Sequence, residues 1–312
     1  MEIDRRVIRR LIRQSRSQER LLNRFVRSLT WMDGVGQALQ KAVGWFYDGL
    51  GAPGKTIKNL LHGTNVLGHP LHPAITDVPL GAWTVGVLAD WLFVATGRVP
   101  AVAGDLALAV GVAGAILAAI TGFTDHHDTS GFELRTATVH GLTMTAVLVI
   151  ELVSLGLRLW TPGLHMTAIV VSSLGWLLAL AGAYVGGHLS FGIGTGVNHN
   201  AFFAGPMEFV RVGTRDDFPE GEMRRVEAGG LPVVILRSKG LLRAMGAVCA
   251  HAGGPLDQGT LDGEVVTCPW HYSQFRFSDA RVVGGPATFD QPLLTVRERG
   301  GVVEVKLAHP LQ

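Results

Sequence analysis

Four long apolar stretches occupy the middle of this chain, and they limit its fold more than any other feature. They cover about 76–96, 99–123, 139–160 and 164–187. Each is long enough to cross a hydrocarbon layer of ~30 Å as a helix. In lipid, an unpaired backbone N–H or C=O costs several kcal/mol, so isolated spans must be helical. Between Ile75 and Leu189 only ten residues are Asp, Glu, Lys or Arg. The links at 97–98, 124–138 and 161–163 are short, which forces antiparallel neighbours. The pattern predicts an α-helical membrane bundle of four transmembrane helices, spanning 61–200. Gly104, Gly111 and Gly114, set among alanines, predict close helix contact in the second span.

Upstream, residues 3–32 read as a basic amphipathic helix, with Ile8, Leu11, Ile12, Leu22, Phe25, Val26 and Leu29 at three-to-four spacing between arginines. Such a helix suits an anionic membrane surface. Residues 33–63, with glycines at 34, 36, 44, 49, 51 and 54, read as a linker, so 1–60 is expected to be helix plus linker. The first thirty residues hold nine arginines and no unbroken apolar core of a secretory signal.

An even number of spans puts the N-terminus, the 124–138 loop and the C-terminal region on one side. Residues 1–75 carry twelve Lys and Arg against five acids, whereas the opposite side offers Arg98 and Arg158. The positive-inside rule makes the shared side cytoplasmic, as in a multi-pass protein of a bacterial inner membrane.

From about Pro206 the pattern changes to short β-rich runs at 209–212, 233–236, 264–267, 293–296 and 302–305, separated by Gly and Asp turns. This predicts a small all-β domain over 207–309. It holds the only two cysteines in the chain, each with a histidine close by: Cys249-Ala-His251 and Cys268-Pro-Trp-His271. Two Cys and two His can ligate zinc. They also match a [2Fe–2S] centre in which thiolates hold one iron and imidazoles the other.

The full stretches, Cys-Ala-His-Ala-Gly-Gly-Pro-Leu from 249 and Cys-Pro-Trp-His-Tyr-Ser-Gln-Phe from 268, resemble the two cluster loops of the Rieske ferredoxin family. The resemblance implies a [2Fe–2S] cluster on Cys249, His251, Cys268 and His271. Where cytochrome bc Rieske proteins carry an extra disulfide, this chain has Gly254 and Trp270. Ser273 matches a serine that tunes the cluster, Phe275 replaces a tyrosine, and Tyr272 stands where glycine is usual. The resemblance therefore points to the oxygenase-associated ferredoxin type, with a potential in the lower to middle part of about −150 to +300 mV. Residues 60–200, including Gly68-His-Pro-Leu-His-Pro73 and Gly186-Gly-His188, resemble an uncharacterised bacterial four-helix membrane family.

His69, His72, His126, His127, His140 and His188 all fall at the side of the bundle where the β-domain lies. Histidines converging at a bundle end can hold haem or another metal, or can be interfacial and hydrogen-bonded. If haem b is bound, His72, His140 and His188 are the first axial candidates, with His126 next. Asp125-His-His-Asp128 is a second candidate, for a divalent metal. Asp90, Asp105 and Glu151 lie in the opposite half, where carboxylates either relay protons or are satisfied by hydroxyls and backbone.

A mononuclear iron on two His and one carboxylate is not expected, because His309 is the one histidine in the forty-one residues after His271. The reading is a membrane-bound carrier of single electrons, embedded in a lipid bilayer and serving a redox protein or quinone. The alternative is a redox sensor whose cluster controls the bundle. No nucleic-acid partner is expected.

Overall fold

The computed structural model describes residues 21–64 and 67–309. Among these, seven α-helices precede ten strands: α1 (Leu21–Ser28), α2 (Met32–Gly49), α3 (Ala52–His62), α4 (Leu71–Thr96), α5 (Ala101–His126), α6 (Gly131–Trp160) and α7 (His165–His188). The last four are long and apolar enough to cross a membrane, α7 continuing through a π-turn to Ile193. Large apolar side chains such as Leu88, Leu106, Leu117, Val149, Leu152 and Leu174 are exposed on the outside of this bundle. The chain therefore combines an apolar helical bundle with a C-terminal all-β region.

The helices overrun the apolar stretches at one end. Helix α5 continues to His126 and α6 starts at Gly131, so the link read as 124–138 shrinks to 127–130. Helices need not stop at the edge of an apolar run, and the first turns of α6 are polar.

The linker expected at 33–63 is instead helical, as α2 and α3. Its glycines serve packing: a Cβ on Gly36 would fall against Thr138 and Leu134, and one on Gly44 against His127. Composition suggested flexibility, but close helix contact uses the same residue. The amphipathic helix expected at 3–32 lies partly outside the described residues, and its described part ends at Ser28, before α2. Gln40 Nε2 on α2 donates to the carbonyls of His126, His127 and Thr129, and Tyr47 Oη lies 2.6 Å from Thr124 Oγ1. Arg135 on α6 pairs with Asp33 on α2. Helices α2 and α3 thus form a ledge across one end of the bundle.

The bundle consists of two hairpins, α4–α5 and α6–α7, that repeat one another. Trp83 on α4 packs over Gly111 on α5, and Glu151 on α6 packs over Gly175 on α7. His72 lies over Gly122 and His140 over Gly186. Matching residues are 68 apart between α4 and α6 and 64 apart between α5 and α7. Both hairpins run the same way, so a pseudo-two-fold axis lies along the bundle. Residues at equivalent positions meet across that axis, His72 with His140 and Asp90 with Arg158.

The acids at the far end are held differently from expectation. Arg158 donates to Asp90 at 2.9 and 2.5 Å and to Asp105 at 2.9 Å. Only Glu151 relies on a hydroxyl, accepting from Ser172 at 2.7 Å. An ion pair forms because a lone charge in hydrocarbon is costly, and the duplicated positions bring opposite charges together.

The β-region has two antiparallel sheets. One has the order β1 (Val210–Thr214), β10 (Val302–Leu307), β9 (Leu293–Arg299), β4 (Leu241–Gly246), β3 (Leu231–Ser238), β2 (Met223–Ala228). The other runs β5 (Thr260–Asp262), β6 (Val265–Thr267), β7 (Gln274–Arg276), β8 (Val282–Gly284). The apolar run in β3 is continuous because both its faces are buried. Val234 and Leu236 join Met245, Val266, Phe275 and Phe277, while Val233 and Ile235 join Phe218, Val303 and Val305.

Arg158→Ala leaves Asp90, which is 2% exposed, as an uncompensated buried charge. We expect a loss of about 3–5 kcal/mol, read as a lower melting temperature of the detergent-solubilised protein.

Candidate metal centre

Both Cys–His knuckles sit on loops fixed by strands of the β-region. The first follows β4, where Gly253 N–H donates to Cys249 O and Cys249 N–H to Gly254 O, at 2.9 and 2.8 Å. The second joins β6 to β7, where Cys268 N–H donates to Ser273 O at 2.8 Å and Tyr272 N–H to Cys268 O at 3.2 Å. Each loop is therefore closed on itself, and its knuckle projects from the sheet edge. Tyr272 takes the left-handed φ of 64° that glycine would adopt, and the turn still closes.

The four residues come together. Cys249 and Cys268 are buried and free of any disulfide. The rings of His251 and His271 lie 5.0 Å apart between centroids, nearly perpendicular. His251 Nδ1 is buried with no hydrogen-bond partner. Backbone N–H groups of His251 and Ala252 point at the Cys249 sulfur, and those of Trp270 and His271 at Cys268. The neighbouring Cys249 and these N–H groups pull the Cys268 thiol down, while Cys268 and burial push the Cys249 thiol up, so one thiolate of the pair forms readily. Burial and the nearby His271 push His251 down to about 3, which keeps it a neutral imidazole. Thiolate and neutral imidazole are the forms that ligate metal.

Among the described residues, no three His, Cys, Asp or Glu side chains converge on one point. A two-iron group needs only two protein ligands on each iron, and the paired sulfurs and paired rings fit it. Gly254 faces the second loop closely: a Cβ there would lie 2.8 Å from Cys268 Sγ and 3.1 Å from the Trp270 ring. The two positions that carry a disulfide in the other Rieske class thus face each other here as a glycine under a tryptophan. Ser273 is fully buried, and its Oγ accepts from Ala287 N–H at 3.0 Å. Phe275 is in the core.

The Rieske [2Fe-2S] domain family matches residues 208–296. The chain belongs to the Rieske family. Its Rieske domain is similar to ferredoxin CarAc of Metapseudomonas resinovorans, 30% identical over 98 residues that make up 31% of this chain and 92% of that protein. It is also similar to the ferredoxin component of biphenyl 2,3-dioxygenase from Rhodococcus jostii, 29% identical over 32% of this chain and 94% of that one. Apoptosis-inducing factor 3 of Mus musculus is 40% identical over 62 residues, 20% of this chain, and the chain spans about a tenth of its length. Among solved structures, the ferredoxin of carbazole 1,9a-dioxygenase from Nocardioides aromaticivorans matches with 25% identity and a TM-score of 0.30, over 31% of this chain and 95% of that one. The predicted membrane protein family DUF2231 matches residues 68–199. A Rieske domain of ferredoxin type, which brings a [2Fe–2S] cluster, thus follows a membrane domain.

The Rieske domain meets the membrane domain through its 285–287 loop and its first knuckle. Thr64 Oγ1 donates to Ala287 O at 2.8 Å, Gly285 N–H to Asn59 Oδ1 at 3.0 Å, and His199 N–H to Ala250 O at 3.1 Å. A cleft there is lined by His251 together with His62, Asp125, Glu133, Thr195 and Phe289. Sequence reasoning missed His62, Asn59 and Thr64, which lie in or just after the stretch read as linker at 33–63.

The histidines of the bundle separate into different roles. His126 Nε2 lies 2.9 Å from Thr138 Oγ1, and His127 Nδ1 lies 3.0 Å from both Lys58 Nζ and Asp128. The expected divalent-metal run at 125–128 is therefore an ion-pair network. Its two histidines point to different partners, and its acids are engaged by His62 and Lys58. His69 stays at the rim, with Nδ1 3.0 Å from Pro70 O. His188 packs over Gly192 of the π-turn, and no ring contact joins it to His72 or His140 among the described residues. His72 and His140 face each other, with ring centroids 6.3 Å apart.

His62 is 2% exposed. Burial disfavours its cation, but Asp125 at 2.7 Å and Asp128 at 3.0 Å outweigh that and raise its pKa to about 9. Burial opposes the Asp128 carboxylate too, yet His127, His62 and Lys58 hold its pKa well below the usual carboxylate range. The raised His62 pKa adds stability that is complete below 6.5 and is lost as pH rises to about 9. The lowered Asp128 pKa adds stability that is complete above 3.8 and is lost as pH falls. The network is therefore strongest between these limits. We expect the melting-temperature difference between the wild type and His62→Gln to shrink between pH 6.5 and 9.

Proposed function

We propose that this protein is a membrane-bound electron carrier with one Rieske [2Fe–2S] cluster at the cytoplasmic face of a bacterial inner membrane. In this reading Cys249 and Cys268 hold one iron and His251 and His271 the other. The cluster supplies a site that gains and loses one electron. The chain's own residues fix its surroundings. Gly254 and Trp270 close over the cysteine side, and backbone N–H groups of both knuckles stabilise charge on sulfur. Ser273, whose oxygen already accepts from Ala287, keeps its O–H to donate toward the cluster and raise the potential.

The observation that carries this reading is the unequal setting of the two knuckles. His251 faces the cleft against the membrane helices. The second knuckle turns outward, with Trp270 54% and Tyr272 72% exposed. One side of the cluster is thus directed to the membrane and the other to a partner arriving from water. That arrangement suits transfer between a soluble reductase or oxygenase component and an acceptor or donor in the membrane, a quinone or a second metal centre. The ferredoxin relatives support the soluble side of this route. The excess of Lys and Arg over acids in residues 1–75 supports the cytoplasmic orientation with both termini inside.

The test is spectroscopic. The purified full chain should contain iron and sulfide, and on reduction should give the EPR signal of a [2Fe–2S] centre with mixed Cys and His ligation. Cys249→Ser and Cys268→Ser should lose it. An iron-replete, reduced wild type with no such signal would sink the reading. Ser273→Ala should lower the midpoint potential by on the order of 60 mV, equivalent to about one tenfold step for a one-electron couple. An unchanged potential would show that the serine does not touch the cluster. Electron flux from a reductase to quinone in vesicles distinguishes a carrier from a sensor.

A further inference from the structure

We propose that helix α2 is an interfacial helix, lying in the headgroup layer of the membrane against the α5–α6 hairpin and anchored in lipid through Trp31, Trp45 and Phe46. The partner of its outward face is the bilayer itself. This rests on the four spans lying in lipid and is independent of the cluster.

Successive side chains on an α-helix turn by about 100°, which divides α2 into four strips. The strip packed on the bundle holds Gly36, Gln40, Gly44 and Tyr47. The strip opposite holds Trp31, just before the first turn, with Ala38, Ala42, Trp45 and Phe46, and none of these side chains is polar. Trp31 is 62%, Trp45 80% and Phe46 54% exposed. The two strips between are unlike each other. Gln37, Lys41 and Asp48 form one edge, and Leu39 and Val43 form the other.

The contacts of α2 show which edge lies deeper. Tyr47 Oη bonds Thr124, and Gly36 packs on Thr138. These threonines stand where the apolar runs of α5 and α6 end, at 99–123 and 139–160. Gly44 instead meets His127, in the turn between the two helices. Within the packed strip, Gly36 and Tyr47 lie toward the Leu39–Val43 edge, and Gly44 lies toward the Gln37–Lys41 edge. The apolar edge therefore points toward hydrocarbon and the polar edge toward water. Helix α2 thus rests against the hairpin at the level where hydrocarbon gives way to headgroups.

The outward face continues the lipid-facing surface of the bundle. Phe46 meets Tyr47 edge-on, with ring centroids 5.4 Å apart, and Tyr47 is seated on Thr124. One and two turns deeper on the same side of α5 are Ile120 and Ile116, both exposed. A helix facing water would turn its charged groups outward, whereas here they are confined to one edge. Tryptophan is enriched at the headgroup boundary. An amphipathic helix buries its apolar face about 5–10 Å into that boundary. Lipid already stands at this level beside α5, so it covers the face without any further chain. The anchor also has a consequence for the Rieske domain. Asn59 on α3 and Thr64 after it hold the 285–287 loop, so the depth of the ledge fixes the height of that domain over the membrane.

The experiment places single nitroxide labels at Ala38→Cys, Ala42→Cys, Trp45→Cys and Phe46→Cys. The full chain is reconstituted in vesicles of phosphatidylethanolamine and phosphatidylglycerol. Cys249 and Cys268 are buried, so the unsubstituted chain sets the background. Leu241→Cys, exposed on β4, reports water, and Leu117→Cys, exposed on α5, reports hydrocarbon. Spin relaxation by oxygen, which concentrates in lipid, is compared with relaxation by a water-soluble nickel chelate. The oxygen-to-nickel ratio at the four positions should exceed that at 241 by at least about threefold and stay below that at 117, as for side chains at the headgroup boundary. A label at Gln37→Cys, on the polar edge, should give a ratio near that at 241. Ratios at the four positions equal to that at 241 place the face in water and overturn the proposal. Labels shielded from both reagents overturn it too, because a protein then covers the face. Ala38 and Ala42 are small and exposed, so if replacing an aromatic residue disturbs the fold, these two positions decide.

Discussion

Glycine opposite a large side chain is the contact on which this structure depends. Trp83, His72, Glu151 and His140 are too bulky or too polar for the interface between tightly paired helices. Each is accommodated because Gly111, Gly122, Gly175 or Gly186 stands opposite. In lipid there is little hydrophobic gain from bringing helices together, so close van der Waals contact and buried hydrogen bonds must do it. The glycines provide the approach, and the His72 and His140 bonds to backbone are made across it. The same rule extends beyond the spans, where Gly36 and Gly44 let α2 settle on the bundle's end.

That settling turns the bundle's end into a docking surface. Helix α3 and the turn after it place Asn59 and Thr64 against the 285–287 loop, and His62 in the cleft beside His251. The Rieske domain is therefore not merely tethered by the segment after α7. Its His251 edge shares a cleft with His62, Asp125 and Glu133 of the membrane domain, while Thr64, Asn59 and His199 hold the neighbouring loops by hydrogen bonds. Here that edge is turned inward, and the exposed aromatic pair of the second knuckle remains as the outer face.

The duplicated hairpins give the bundle two unlike ends. At one end equivalent positions carry two histidines, and at the other an aspartate and an arginine. The like pair meets only through its ring edges, whereas the opposite pair neutralises itself. Arg158 thus neutralises Asp90 and Asp105, and of the three acids only Glu151 is left without a cationic partner.

Sequence alone determined the four spans, the β-region and the two knuckles. Long apolar runs admit only helices in lipid, and two Cys–His pairs in one short domain admit few ligands. Gly254 and Phe275 were legible too, since they stand at positions with a known alternative. The linker reading failed because glycine in a loop and glycine at a helix contact look alike in composition. Only the tertiary structure decided which histidines meet. His72, His126, His140 and His188 share one depth by count of residues, but their azimuth around each helix decides their partners. The fold turns His126 to Thr138, His188 to the π-turn, and His72 and His140 to each other. The equal 68-residue spacing of His72 to His140 and Asp90 to Arg158 was present in the sequence. It acquires meaning only when two hairpins pack about an axis and bring those positions face to face.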